Sequence, residues 1–268
     1  MPTAKLKQCD IYYEIEGEGA PLILIHGLSA DHTIWSGLIP YLRHTFRIIC
    51  LDLRGSGQTR FDGAPFTLED LADDVAALME HLHLVKAHLV GHSMGGRVAM
   101  TFAGRHQKCV ERLGIINSLL ELTYPARRHF EAMANLREHY DIALEDLRYL
   151  GLPWVFSGKF LQSEANIEML RELVKNNLYP QSLGNYRLQL EALKQFDGHQ
   201  FTAKFTMPIL ILTGSEDILC PPGQMRALAQ TLASAVYVEQ EQGAHALIVE
   251  TPEWVAEQLR QFFLSNSH

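Results

Sequence analysis

The 268-residue chain is short of positive charge: 23 Lys and Arg stand against 31 Asp and Glu, a formal net charge of −8 with His neutral. The cations are scattered, with Arg127–Arg128 the only adjacent pair. A nucleic-acid footprint needs a basic face, so no nucleic-acid partner is expected. Long apolar runs are also missing. None approaches the roughly 18 residues of a membrane span. The polar start, Met1–Asp10, has no apolar core of a signal peptide. A cytoplasmic protein without a membrane partner is expected. Cysteine is scarce: Cys9, Cys50, Cys109 and Cys220 lie far apart and form no C-x-x-C pair. This excludes zinc-ribbon and thioredoxin-like readings and predicts reduced, mostly buried thiols. His81 and His83 are two apart and share no helix face. Neither Gly17-x-Gly19 nor Gly55-x-Gly57 extends to G-x-G-x-x-G. No metal and no cofactor are expected.

What is present is 47% apolar residues, an ordinary globular composition. The length fits one α/β domain with an insertion. Short apolar runs alternate with helical patterns over the first 116 residues. Ile11–Ile15, Pro21–Ile25, Phe46–Leu51, Ala87–Val90 and Val110–Ile116 read as strands. Most carry apolar residues on both faces, as in a parallel sheet covered by helices on each side. Leu71, Val75, Leu78 and Leu82 repeat at helical spacing behind a capping-box-like Thr67-Leu68-Glu69-Asp70. Met94–His106 reads as a second helix. From about Leu120 to Phe196 the pattern is helical and rich in aromatics. Strands resume at Met207–Thr213 and Ala235–Glu239, with helices near Gln224–Leu232 and from Pro252. The expected organisation is an α/β core of residues 1–120 and 196–268, with a helical cap, or lid, over 121–195. An insertion this long is usually a lid or binding device.

Gly91-His92-Ser93-Met94-Gly95 is G-x-S-x-G between a buried strand and a helix. That is the setting of a nucleophile elbow. Its serine is strained, exposed and placed at a helix N-terminus, where developing negative charge is favoured. The alternative is a plain Gly-rich turn. A serine nucleophile needs a base and an orienting acid, in the chain order Ser, acid, His. Thr213-Gly214-Ser215-Glu216-Asp217 ends a strand; Asp217 has the better spacing, and Glu216 reads as a solvated loop residue. Gly243-Ala244-His245 lies between the last strand and the last helix, which makes His245 the candidate base. His26-Gly27-Leu28 ends an earlier strand. Its Leu28 N–H, with that of Met94, is the expected pair of oxyanion donors. His26 itself reads as structural.

These segments, with Asp52-Leu53-Arg54-Gly55-Ser56-Gly57, resemble the α/β-hydrolase superfamily. Within it the chain looks most like the small carboxylesterase and 3-oxoadipate enol-lactonase-like branch, on the G-x-S-M-G-G elbow and the G-x-x-D-x-x-x-P-P loop. The resemblance implies a mostly parallel central sheet flanked by helices. Dehalogenase-like relatives use Asp where this chain has Ser93. Some take their acid after the strand that here ends at Asn117. The implied activity is metal-free hydrolysis of a small carboxylic ester or lactone by Ser93, His245 and Asp217. Phe130, Trp154, Phe156, Ile218 and Leu219 are the candidate pocket residues; internal packing of the cap explains its aromatics equally well. Two other readings stay open. One is hydrolysis of a carbon–carbon bond in a dienone acid, with Arg127, Arg128, Arg148 or Arg187 holding its carboxylate. The other is a ligand receptor on a hydrolase scaffold. Self-association into a homodimer is left open.

Overall fold

The computed structural model describes residues 2–140, 142–202 and 205–265, and of Leu144, Glu145 and Arg148 the backbone alone. Its strands are β1 (Thr3–Lys5), β2 (Cys9–Glu16), β3 (Ala20–Ile25), β4 (Phe46–Leu51), β5 (Arg60–Phe61), β6 (Ala87–His92), β7 (Val110–Ile116), β8 (Ile209–Gly214) and β9 (Ala235–Gln240). They form one sheet in the order β1-β2-β4-β3-β6-β7-β8-β9, with β5 paired to β2. From β4 to β9 neighbours run parallel, whereas β2 is antiparallel to β4, β1 and β5.

Successive side chains of a strand point to opposite faces, so a strand apolar at every position needs cover on both. In β3, Ile23 and Ile25 pack with Val75, Leu78, Val98 and Phe102, while Leu22 and Leu24 pack with Trp35, Leu38, Val255 and Leu259. β8 divides the same way, Ile209 and Ile211 against Leu210 and Leu212. Truncating one of these side chains to Ala is expected to cost about 2–5 kcal/mol.

The helices are α1 (Ile39–Leu42), α2 (Leu68–His81), α3 (Met94–Arg105), α4 (Tyr124–His139), α5 (Leu144–Val155), α6 (Gly158–Leu161), α7 (Glu164–Lys175), α8 (Leu183–Gln195), α9 (His199–Thr202), α10 (Pro222–Thr231), α11 (Leu247–Glu250) and α12 (Pro252–Leu264). α2 starts in a capping box closed by Asp instead of Glu. The Thr67 N–H donates to Asp70 at 2.8 Å, and the Asp70 N–H returns to Thr67 Oγ1 at 3.2 Å. α10 begins two residues ahead of the expected Gln224, because a proline at the first helical position sacrifices no helix hydrogen bond. β1 and β5 carry no apolar pattern and were not expected; they are short additions at the edge beside β2.

Helices α4 to α8 lie between β7 and β8. α8 fastens them to the core: Gln189 Nε2 donates to Arg54 O at 2.8 Å and to Ser56 Oγ at 2.9 Å. Just before α8, Gln181 Nε2 donates to Gly55 O at 2.8 Å. The Asp52–Gly57 turn that receives them is built around charge. Asp52 accepts from the amides of His32 and Gln58, both at 2.8 Å. Arg54 lies buried on Asp74, Nε to Oδ2 at 2.6 Å. A Cβ on Gly57 would lie 2.0 Å from the Asp52 carboxylate, and Gly57 holds φ +50°, so this turn requires glycine.

Candidate active site

β6 turns into α3 through Ser93, which holds φ 55° and ψ −119°. The turn is so tight that a Cβ on Gly91 would lie 2.1 Å from Gly95 O, and one on Gly95 2.0 Å from Ile25 O. Only hydrogen fits at either position. Ser93 is tied in place by its N–H to Ile116 O at 3.0 Å and by Ser118 Oγ, which donates to Ser93 O at 2.7 Å. The residue stays partly exposed.

His245 Nε2 lies 2.9 Å from Ser93 Oγ, and His245 Nδ1 lies 2.9 Å from Asp217 Oδ2. The three residues come from the ends of β6, β8 and β9. Asp217 is buried, and its Oδ1 accepts the amides of Leu219 at 2.9 Å and Cys220 at 2.8 Å. Burial would raise its carboxyl; the His245 imidazole and these donors outweigh that and hold it below the usual carboxylate range. For His245 the balance is mirrored: burial pushes the imidazole down, and the Asp217 charge more than reverses it. Glu216, the competing acid, is exposed, and its Oε2 accepts the Gly158 N–H at 3.3 Å. The arrangement can pass the Ser93 proton to an imidazole whose cation a carboxylate stabilises.

Three further residues hold the His245 loop, and sequence reasoning did not find them. His92 Nε2 donates to His245 O at 2.8 Å; burial pushes His92 down to about 3, so it serves as a neutral donor. Asn117 Nδ2 donates to Asp217 Oδ2 at 2.7 Å and to Ala244 O at 3.2 Å. Glu250 Oε1 accepts the Ala244 N–H at 3.2 Å, while Oε2 accepts the Ser157 hydroxyl at 2.6 Å. His92 is the variable residue inside the elbow motif, and Asn117 ends β7 where an acid was sought. Glu250 carried no signal.

The segment His26–Leu28 passes beside Ser93, since a Cβ on Gly27 would lie 3.1 Å from Ser93 Cβ. His26 Nε2 accepts the Leu53 amide at 3.1 Å and Nδ1 donates to Gly27 O at 2.8 Å. Among the described residues nothing accepts from the Leu28 or the Met94 amide. Of the candidate pocket residues, Phe130 joins Leu28, Leu122 and Leu183 around Tyr186 and Leu190. Trp154 instead stacks on His129 at 4.4 Å and Phe156 on Phe160 at 4.8 Å. Leu219 is buried and Ile218 exposed. A cavity of about 800 Å³ lies between β2, the Asp31–Thr33 segment and α7, and none of the five lines it.

The arginines considered for a substrate carboxylate are engaged elsewhere. Arg127 and Arg128 pair with Glu131 at 3.0 and 3.2 Å, and Arg187 pairs with Glu138. The Arg148 side chain lies outside the described residues. Two donor sets, Asp31–His32–Asp52 and Asp217–Cys220–His245, depart from the sequence reading, which expected no metal ligands. Atoms of Asp217, Cys220 and His245 lie within 4.8 Å of one another. No C-x-x-C spacing announces this set, because two distant loops bring it together.

A parallel sheet with a strained serine after one strand, an acid after another and a histidine after the last defines an α/β hydrolase. The family model described as alpha/beta hydrolase fold matches residues 20–252, and the chain belongs to that family. The chain is 28% identical over 252 residues to "Putative carbamate hydrolase RutD" of Yersinia enterocolitica, covering 91% of this chain and 88% of that one. It is 26% identical over 267 residues to the pyrrolizixenacetamide deacetylase of Xenorhabdus hominickii, covering 99% and 98%. Among solved structures it is similar to the enol-lactonase from Burkholderia xenovorans LB400, with TM-score 0.88, 25% identity and coverage of 98% and 100%. Among the described residues no helix is long and apolar enough to cross a membrane.

Proposed function

We propose that this chain is a serine hydrolase that cleaves a small carboxylic ester or lactone through an acyl-enzyme on Ser93. The observation that carries the reading is the continuous path from Ser93 Oγ through His245 to Asp217, with 2.9 Å at both steps. His245 Nε2 takes the hydroxyl proton as Ser93 Oγ attacks the carbonyl carbon. The Leu28 and Met94 amides hold the resulting oxyanion, and each such donor is worth about 3–4 kcal/mol. His245 returns the proton to the leaving alkoxide, which departs as alcohol and leaves the acyl group on Ser93. Water, deprotonated by His245, then attacks the acyl carbon. Collapse frees the acid and restores the Ser93 hydroxyl. Asp217 keeps the proton on Nδ1 and stabilises the imidazolium.

The names of the relatives support acyl chemistry on one carbonyl class or another. Likeness to RutD favours a second reading, a carbamate in place of the ester, with the same residues in the same roles. The dienone reading loses support because Arg127, Arg128 and Arg187 are occupied at the surface.

The test is turnover of p-nitrophenyl acetate, a simple lactone and an aryl carbamate by the wild-type chain and by Ser93→Ala. Ester or lactone turnover that falls about 10⁴-fold or more in Ser93→Ala is expected. A well-folded Ser93→Ala that keeps most of the rate overturns the reading. Turnover confined to the carbamate moves it to the second reading, and no turnover at all favours a receptor.

A further inference from the structure

Cys220 has no part in the proposed reaction, yet its thiol is buried beside the residues that do. One Asp217 carboxylate oxygen, the Cys220 sulfur and one His245 nitrogen lie within 4.8 Å of one another. All three residues are buried. Cys220 is pinned there by its own N–H, which donates to Asp217 Oδ1 at 2.8 Å. Zinc bonds of about 2.0–2.3 Å place tetrahedral ligand atoms about 3.3–3.8 Å apart, so the three need move only about 1 Å to share one ion. The charges also close. A thiolate and a carboxylate neutralise a divalent cation, so no net charge is left in a buried place. One sulfur, one nitrogen and one oxygen suit Zn²⁺ or Cd²⁺, whereas Mg²⁺ and Ca²⁺ want shells of oxygen.

We propose that Asp217, Cys220 and His245 form an inhibitory site for a thiophilic divalent cation such as Zn²⁺. Binding forms metal bonds to sulfur, nitrogen and oxygen, and the thiol proton leaves to solvent. Both His245 nitrogens are already committed. An ion on Nε2 removes the partner of Ser93; an ion on Nδ1 takes the place of the Asp217 hydrogen bond, and the Nδ1 proton moves to Nε2, which then has no lone pair for the Ser93 proton. Either way Ser93 loses its base. The inhibitory half rests on the serine-hydrolase reading above, and the binding half does not.

The test uses the full chain, treated with EDTA, dialysed and titrated with Cd²⁺ alone. The readout is the ultraviolet thiolate-to-metal charge-transfer band. One equivalent per chain is expected in wild type and in Ser93→Ala. The band is expected to be lost in Cys220→Ala and in Cys220→Ser, the second of which keeps the side-chain volume. In a second arm, Zn²⁺ inhibition of p-nitrophenyl acetate hydrolysis is read for each variant against its own metal-free rate. Removing one of three ligands should weaken that inhibition about tenfold or more, and Mg²⁺ should not inhibit. A band that survives both Cys220 substitutions, or no band in wild type, overturns the proposal. So does Zn²⁺ inhibition of Cys220→Ala as strong as that of wild type. A chain without esterase activity fails in the rate arm alone, so the two readings are judged separately.

Discussion

At φ 55° and ψ −119°, Ser93 holds a backbone conformation that costs a residue with a Cβ about 1–3 kcal/mol. Removing the hydroxyl leaves that strain in place, so Ser93→Ala should lose turnover with little change in stability. Removing the Cβ relieves it. Ser93→Gly should be inactive yet more stable, by about 1 kcal/mol once the added freedom of the unfolded chain is subtracted. That amounts to a rise of about 2–4 °C in Tm, read by calorimetry on the two variants side by side. A Ser93→Gly less stable than Ser93→Ala would show that the turn stores no strain. The same scale carries a pH prediction. His245 must be neutral to accept a proton, and Asp217 holds its pKa above the ordinary value. The acid limb of kcat/KM should therefore lie above the usual histidine range. In Asp217→Asn the largest raising charge is gone and burial weighs more heavily against the imidazolium. The residual activity should then keep its limb at lower pH, with kcat down about 10⁴-fold. A limb that stays put would mean that another group titrates. For stability the sign is opposite: the raised His245 contributes below its unfolded pKa and loses that contribution as pH rises through the folded one. Ser93, Asp217 and His245 were legible because each sits in a short run with its own glycine, at a strand end. His92 and Asn117 were not, because they act on residues 153 and 100 positions away.

Among the elements, the short helix α11 joins parts of the chain that sequence reading kept apart. Its last residue, Glu250, accepts from Ala244 in the His245 loop and from Ser157, which caps α6. Val155, the last residue of α5, accepts the Ala246 N–H at 2.8 Å, so the loop is held from both sides of His245. Burial pushes the Glu250 carboxyl up against these donors. Glu250→Ala leaves the Ala244 amide and the Ser157 hydroxyl without their acceptor, and each orphaned donor costs about 1–3 kcal/mol. Stability should fall by that order. Loosening of the imidazole should lower kcat about tenfold to a hundredfold, while KM changes less. Ser157→Ala frees only the α6 side and should spare kcat by comparison. Equal kcat losses in the two variants would place the effect in the helices instead of the loop. The larger helices and buried strands were legible because their periodicity is set by faces they bury. The 8-residue β2 reads as five because polar Asp10 and Glu16 flank its apolar stretch, and β1 leaves no signal because this three-residue edge strand buries only Ala4. No local pattern can report that Glu250 reaches back to Ala244 and Ser157, since the contact exists only after the helices between β7 and β8 have docked.

For the molecule as a whole, the decisive feature is how firmly those docked helices are held. Gln181 and Gln189 bind the Arg54–Ser56 turn, Thr123 Oγ1 donates to Leu219 O at 3.1 Å beside Asp217, and Glu250 with Val155 binds the His245 loop. The helical segment is thus tied to the turn after β4, the acid loop and the histidine loop, three attachments around one serine. Three attachments fix where these helices lie relative to Ser93. Neither the 800 Å³ cavity nor a second one of about 240 Å³ includes Ser93 in its lining. Beside Ser93 the chain of Gly27 and Leu28 passes at contact distance, and Leu28 packs in the cluster that holds Phe130. An acyl chain growing from the carbonyl carbon therefore gains about 0.8 kcal/mol per methylene while it fits, close to fourfold in kcat/KM. The first methylene that does not fit must push aside packed side chains, at about 1–3 kcal/mol. The crossover should come early. Along p-nitrophenyl acetate, butyrate, hexanoate and octanoate, kcat/KM should peak in the first two and then fall about tenfold or more. Phe130→Ala, which opens the cluster beside Leu28, should move the peak to longer chains while leaving acetate the least changed. A wild-type series still climbing at octanoate would mean that the helices open to admit substrate, and that their three attachments do not hold in solution.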